Sequence, residues 1–213
     1  MAPPVIYGPA LSTYVRTARL VCEEKGAPYE LVEVDIMQGG HKTPEHLARH
    51  PFGRVPALEH DGFQLYETCA ITRYLDAVLP GPSLTPADPR AAARMQQAIA
   101  IVDSYAYGAL ISAIVIQRVV MPMVGNTTDE AVIAAALPTA EISLGAFETL
   151  IDGHTWLAGN TLSLADLHLA PVMAYFTATP EGQRLLPGHP KLTGWWKLVS
   201  TRPSMARTQP KLG

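Results

Sequence analysis

The 213-residue sequence predicts an α/β unit followed by an all-helical unit. Three observations predict it. The first third alternates short β-favouring runs with helical spacing, prolines crowd into residues 79–89, and beyond them apolar residues recur every three or four positions with almost no strand-length alternation.

Val5 to Tyr7 reads as a strand, Thr13 to Lys25 as a helix closed by Gly26, and Tyr29 to Asp35 as a second strand. That is a βαβ opening. Pro56 to Glu59 and Gln64 to Tyr66 flank Asp61-Gly62, a hairpin turn signal, and Ile71, Leu75 and Val78 then fall at helical spacing. The order βαβ then ββα is that of a thioredoxin-like layer, assigned to residues 1–79. Residues 80–89 carry closely spaced prolines that stop a helix or an inner strand, and read as a linker. Residues 90–213 read as a helical-bundle domain, with Met95, Ile99, Val102 and Ile142, Phe147, Leu150 at helical intervals. Within it, Ser163 and Asp166 form a capping-box pattern, with Leu162 and Leu167 placed as a hydrophobic staple. Its role is read as structural.

Composition restricts the function. Lys plus Arg is 16 against Asp plus Glu 19, a formal charge of -3 with no polybasic run, so a nucleic-acid or anionic-membrane surface has no electrostatic support. The start, Met1 to Gly8, lacks the pattern of a secretory signal. The apolar run Ala109 to Ile116 is short of the roughly 20 residues that span a bilayer. A soluble, cytoplasmic protein is therefore expected. Cys22 and Cys69 form no Cys-x-x-Cys, which argues against dithiol redox chemistry and a disulfide scaffold, and both read as packing residues.

Residues 41–75 hold most of the functional information: a basic loop, a Val-Pro step entering a strand, a hairpin, and an acid and a hydroxyl where a helix begins. These parts suit an extended, anionic, peptide-like ligand, with backbone groups at Val55, cations for a carboxylate, and Glu67 at a helix N-terminus for an amino-acid head group. Glutathione is such a ligand.

The combination of Val55-Pro56, Glu67-Thr68, a Pro-rich linker and the Ser163 to Asp166 box resembles the cytosolic glutathione S-transferases over essentially the whole chain. Leu11-Ser12, Gly40-His41-Lys42 and His50-Pro51-Phe52-Gly53-Arg54-Val55-Pro56-Ala57 resemble the serine-type phi class most closely. The resemblance implies that Ser12 hydrogen-bonds the glutathione sulfur, where the start of the Thr13 to Lys25 helix favours a thiolate; read alone, Ser12 is also a helix N-cap. It implies that His41 and Lys42 hold the glycine carboxylate, that the Val55 backbone pairs with the cysteinyl unit beside a cis Pro56, and that Glu67 and Thr68 grip the γ-glutamyl head. Arg54 stands where the family usually has Gln, which keeps donors but adds a charge.

For the electrophile pocket, which the family places between the first-domain loop and the first helices of the second domain, the candidates are Leu11, Tyr14, Tyr105 and Met121. Asp103 is a candidate for reaching a neighbouring subunit's glutathione. The implied activity is glutathione transfer to electrophilic small molecules, with glutathione as co-substrate, no metal, and a homodimeric assembly. The alternative is a non-catalytic binding or interaction module on the same fold. A cysteine-centred reductase fits less well, because Ser12 occupies the place of the catalytic Cys. Tyr7 is the rival to Ser12 as the thiolate-stabilising hydroxyl, since many relatives use a tyrosine near the end of the first strand.

Overall fold

The computed structural model describes residues 2–210, which form two compact units: residues 2–85 with 201–210, and Pro86–Ser200. The first unit is built on a four-stranded sheet, β1 (Val5–Tyr7), β2 (Glu30–Val32), β3 (Ala57–His60) and β4 (Phe63–Tyr66), in the order β2-β1-β3-β4. β1 and β2 pair in parallel, β1 with β3 and β3 with β4 antiparallel. The parallel pair requires a crossover, which α1 (Thr13–Lys25) supplies. Ile6 and Leu58 face one another across the sheet, and both are buried together with Val15, Leu20, Ile71 and Leu75. These residues join α1 and α3 (Thr68–Val78) to the strands as one apolar core.

Sequence and structure agree on β1 and α1. Gly26 ends α1 at φ 66, its N–H reaching Cys22 O and Glu23 O, a termination that favours glycine. Asp61 and Gly62 both take positive φ, 49° and 79°, as the two-residue hairpin turn requires. The second strand is shorter than Tyr29 to Asp35. Asp35 Oδ1 instead accepts the N–H groups of Met37 and Gln38 at 2.9 and 3.0 Å, a local turn that takes the chain out of the sheet.

α2 (Pro44–Arg49) follows a short 3₁₀ turn over Gly40–Lys42, with Thr43 capping it through the His46 N–H at 3.3 Å. The proline-rich stretch is not a free tether as far as Thr85. Asp76 accepts from the Leu84 N–H at 2.9 Å and the Thr85 hydroxyl at 2.7 Å. Lys25 pairs with Asp76 at 3.2 Å and also donates to Pro82 O at 3.1 Å.

The second unit carries α4 (Pro89–Ile101), which continues without a break through Val102–Val120 into α5 (Met121–Met123). Val102–Val120 is wound in the wider π form, seen at its end where the Met121 N–H reaches five residues back to Ile116 O. Three- and four-residue apolar spacing does not forecast that widening. α6 (Glu130–Leu150), α7 (Leu164–Phe176), α8 (Pro180–Leu185) and α9 (Pro190–Ser200) follow. Pro89–Met123 and Glu130–Leu150 are long and apolar enough to meet the length and composition of a membrane span, beyond the Ala109 to Ile116 run. Val102, Ala106, Leu110, Ile114, Ala140, Leu144 and Phe147 are nevertheless buried within the unit. α7 is apolar nearly all round and is its central helix, with Leu164, Leu167, Leu169, Met173 and Phe176 buried.

The sequence reading carried the second unit to residue 213, but α10 (Pro203–Arg207) packs with the first. Polar groups on α1 hold it there. The buried Arg16 donates to Met205 O at 2.8 Å and Thr208 Oγ1 at 3.2 Å, Arg202 pairs with Glu24 at 2.6 Å, and the Ser204 hydroxyl donates to the same carboxylate. Residues 211–213 lie outside the described residues.

Candidate active site

Four strands deliver the candidate residues to one end of one sheet. Tyr7 is registered with Val32 of β2 and Ala57 of β3, and Ala57 with Tyr66 of β4. The chain leaves β1 and β2 at this end, enters β3 there, and leaves β4 there. The loop to Ser12, the approach to the His41–Lys42 turn, the Val55–Pro56 step and the Glu67–Thr68 corner are therefore neighbours through topology alone.

Close packing brings these segments together. A Cβ on Gly8 would lie 2.5 Å from Val15 Cγ2 and 3.1 Å from Val55 Cβ, so only a glycine lets the β1–α1 loop approach Val55. The Gly8 N–H donates to Val32 O at 3.0 Å, and the Ala10 N–H to Glu33 Oε2 at 3.3 Å, fastening the same loop to β2. On the other side, Gly53 sits at φ 58 with its Cβ position 3.0 Å from His41 O and 3.3 Å from Lys42 Cδ. The turn carrying His41 and Lys42 thus packs on the loop carrying Arg54 and Val55.

Ser12 is half-buried and is the N-cap of α1, its Oγ accepting the Val15 N–H at 3.4 Å. Capping uses a lone pair of the hydroxyl and leaves its proton to be donated. Tyr7 is committed elsewhere. Its hydroxyl donates to Glu59 at 3.3 Å, the Arg49 guanidinium lies 4.2 Å from its ring centre, and burial pushes its pKa up, with Glu59 adding to that and Arg49 opposing it.

His41 is half-buried on the 3₁₀ turn while Lys42 and Arg54 are exposed. The Val55–Pro56 bond is cis, as the resemblance implies. Glu67 caps α3 with φ 71 and ψ 118, a backbone conformation that a non-glycine residue rarely adopts and that costs on the order of 1–3 kcal/mol. Such strain concentrates at ligand contacts, and Glu67 is exposed at the mouth of the corner. Thr68 is buried at the start of the same helix.

Leu11 is exposed and Tyr14 half-buried on the first unit. Tyr105, 61% exposed, half-buried Met121 and exposed Asp103 belong to the second unit. Gly8, Gly53, Glu59 and Arg49 were missed by the sequence reading as contributors. Only the two glycines carried a signal, each beside a motif residue.

Residues 6–77 match the glutathione S-transferase N-terminal domain, and residues 101–203 match the glutathione S-transferase C-terminal domain. The chain belongs to the glutathione S-transferase family. Glutathione S-transferase 1 of Zea mays is 34% identical over 207 residues, covering 97% of this chain and 96% of that protein. Among solved structures, glutathione transferase F7 from Populus trichocarpa superposes with a TM-score of 0.88 at 32% identity, covering 96% of this chain and 97% of the other. Glutathione S-transferase I from mais, in complex with an atrazine glutathione conjugate, gives a TM-score of 0.86 at 33% identity, covering 97% and 96%. These relatives place the chain with the plant phi-class transferases.

Proposed function

We propose that this transferase activates glutathione as a thiolate on the Ser12 hydroxyl and adds it to an electrophilic small molecule. The observation that carries the reading is the convergence, at one end of one sheet, of a donor hydroxyl at a helix start, a turn bearing His41 and Lys42, and a strained acid at a second helix start. Each has a counterpart in the tripeptide. Lys42 and His41 complement the glycine carboxylate, the Val55 main chain suits pairing with the cysteinyl unit, and Glu67 with Thr68 suits the γ-glutamyl head. Arg54 supplies donors beside the same segment.

The chemistry follows from this placement. A free thiol with pKa about 8.5 is mostly protonated at neutral pH. A hydrogen bond from Ser12 to the sulfur, together with the amide-rich start of α1, favours the anion, which is the attacking form. Positioning supplies the rest, because a held thiolate meets the electrophile as a unimolecular partner. The electrophile side is assigned to Leu11, Tyr14, Tyr105 and Met121, with Asp103 directed to a neighbouring subunit's glutathione. On this reading the unit of residues 2–85 with 201–210 binds glutathione, and the unit Pro86–Ser200 contributes to the electrophile site.

The working form is taken to be a cytoplasmic homodimer, on the strength of the family match. Glutathione-dependent conjugation of a haloarene, measured for the wild type and Ser12→Ala, tests the activity. Loss of most of the turnover in the variant is expected, and an unchanged rate contradicts the assignment. Sedimentation equilibrium tests the assembly, where a concentration-independent mass near 22.9 kDa contradicts the dimer.

A further inference from the structure

We infer that His46 is a positioning residue for glutathione binding, acting through the carbonyl of Arg54. This rests on the assignment of the Val55 segment as the tripeptide site. His46 is on α2 and only 3% exposed, and its Nε2 lies 2.7 Å from Arg54 O. A carbonyl only accepts, so Nε2 carries the proton and donates it. That fixes the tautomer. Nδ1 is buried and has no hydrogen-bond partner among the described residues, so the one bond to Arg54 is what the imidazole contributes.

The ring is held for this task. His50 stacks against it, with centroids 6.4 Å apart and planes 17° apart, and Tyr66 backs His50 at 4.9 Å. The same short helix fastens both sides of the proposed tripeptide groove. At its start Thr43 ties it to the Gly40–Lys42 turn, while Leu47 lies 3.3 Å from the Cβ position of Gly53. Through His46 it sets the peptide plane joining Arg54 to Val55, the main chain that faces the cysteinyl unit. The Gly53 N–H donates to His50 O at 2.8 Å, which ties the same loop to the end of α2. The bond orients the main chain that binds the tripeptide and is remote in role from the Ser12 hydroxyl, so it governs affinity rather than thiolate stabilisation.

Three variants separate the donor from the volume. Gln places its amide N–H near the position of the imidazole Nε2, whereas Asn mimics Nδ1 and falls short, and Leu fills space without donating. His46→Leu and His46→Asn are expected to raise KM and Kd for glutathione about tenfold, the effect of losing one buried hydrogen bond and leaving its acceptor unpaired. Turnover at saturating glutathione and the pKa of bound thiol should stay near wild type, and His46→Gln should recover affinity to within about threefold. A merely structural role would instead lower thermal stability in all three alike, without the split between KM and kcat.

Unchanged affinity in His46→Leu and His46→Asn overturns the inference, and so does a His46→Gln variant as weak as His46→Leu. If His46→Leu does not fold, the Asn and Gln variants decide between them. Glu67→Gln is the separate control for the site itself. If it leaves glutathione affinity intact, the site assignment falls and takes this inference with it; if it weakens binding while the His46 variants do not, only the His46 inference falls.

Discussion

Two serines begin two helices, Ser12 before α1 and Ser163 before α7, and the structure treats them in opposite ways. Ser163 is fully buried, and its N–H and hydroxyl both donate to Asp166 Oδ2, at 2.9 and 2.8 Å. The other oxygen of Asp166 accepts from the Leu157 N–H at 3.0 Å and the Trp195 Nε1–H at 2.8 Å. Every acceptor direction of that carboxylate is occupied. Ser12 is half-buried, no acid follows it in the first turn, and its oxygen accepts one long bond from Val15. The same capping chemistry is closed on itself in the second unit, whereas in the first it uses the serine oxygen as an acceptor only. A helix start becomes a site when its cap still has a proton to give.

The sharpest way to break this contrast is to open the closed cap. Asp166→Ala strands four buried donors at once, and a stability loss of about 3–5 kcal/mol is expected in urea unfolding. Glutathione affinity of the folded fraction should be unchanged. A loss below ~1 kcal/mol contradicts the view of Asp166 as the node of this unit.

One turn along α7, His168 offers a test by pH. It is buried, its Nδ1–H donates to Leu164 O at 3.0 Å, and burial pushes its pKa down to about 4 from 6.5. Below pH 6.5 the unfolded chain takes up a proton that the folded one refuses, so its contribution to stability is complete above that pH. It fades as pH falls towards about 4, by up to about 3 kcal/mol. His168→Asn keeps a donor for Leu164 O and should flatten this part of the pH profile; a profile with unchanged slope contradicts the assignment.

The two serines themselves give the smaller effects. Ser163→Ala is expected to cost about 1–2 kcal/mol, at the upper end for a cap, and Ser12→Ala about 0.5 kcal/mol, since its bond is long and half-exposed. Equal losses in thermal unfolding would erase the distinction between the caps.

How much of this was legible in the sequence follows the reach of each signal. Ser12 and Gly26 bracket α1, and Asp61-Gly62 dictates its turn, so these elements are local and were read correctly. The capping box was legible for the same reason, because its partners are three residues apart. Its further role was not, since Trp195 meets Asp166 only in the fold. The return of α10 to the first unit was hidden likewise, because Arg16 and Glu24 on α1 find their partners only after the chain has passed through the whole second unit.

At the candidate site, the motifs that carry the family resemblance pointed to Ser12, His41, Lys42, Val55, Pro56, Glu67 and Thr68. They could not reveal the strained φ of Glu67, the close approach at Gly8, or the bond from His46 to Arg54. Tyr7 shows the limit most clearly: the use of a tyrosine by many relatives made it a rival donor, its place within the strand spoke against it, and the fold adds that its hydroxyl is directed to Glu59.

The central claim is that the open cap, and not the nearby tyrosine, stabilises the reacting sulfur. Ultraviolet absorbance of bound glutathione thiolate against pH tests it directly in the wild type, Ser12→Ala and Tyr7→Phe. The account predicts a bound thiol about two pKa units below the free value of about 8.5, a preference of roughly 2.7 kcal/mol for the thiolate. Ser12→Ala should return most of that shift, while Tyr7→Phe leaves the titration where it was. A thiolate that survives Ser12→Ala and disappears in Tyr7→Phe would contradict the account.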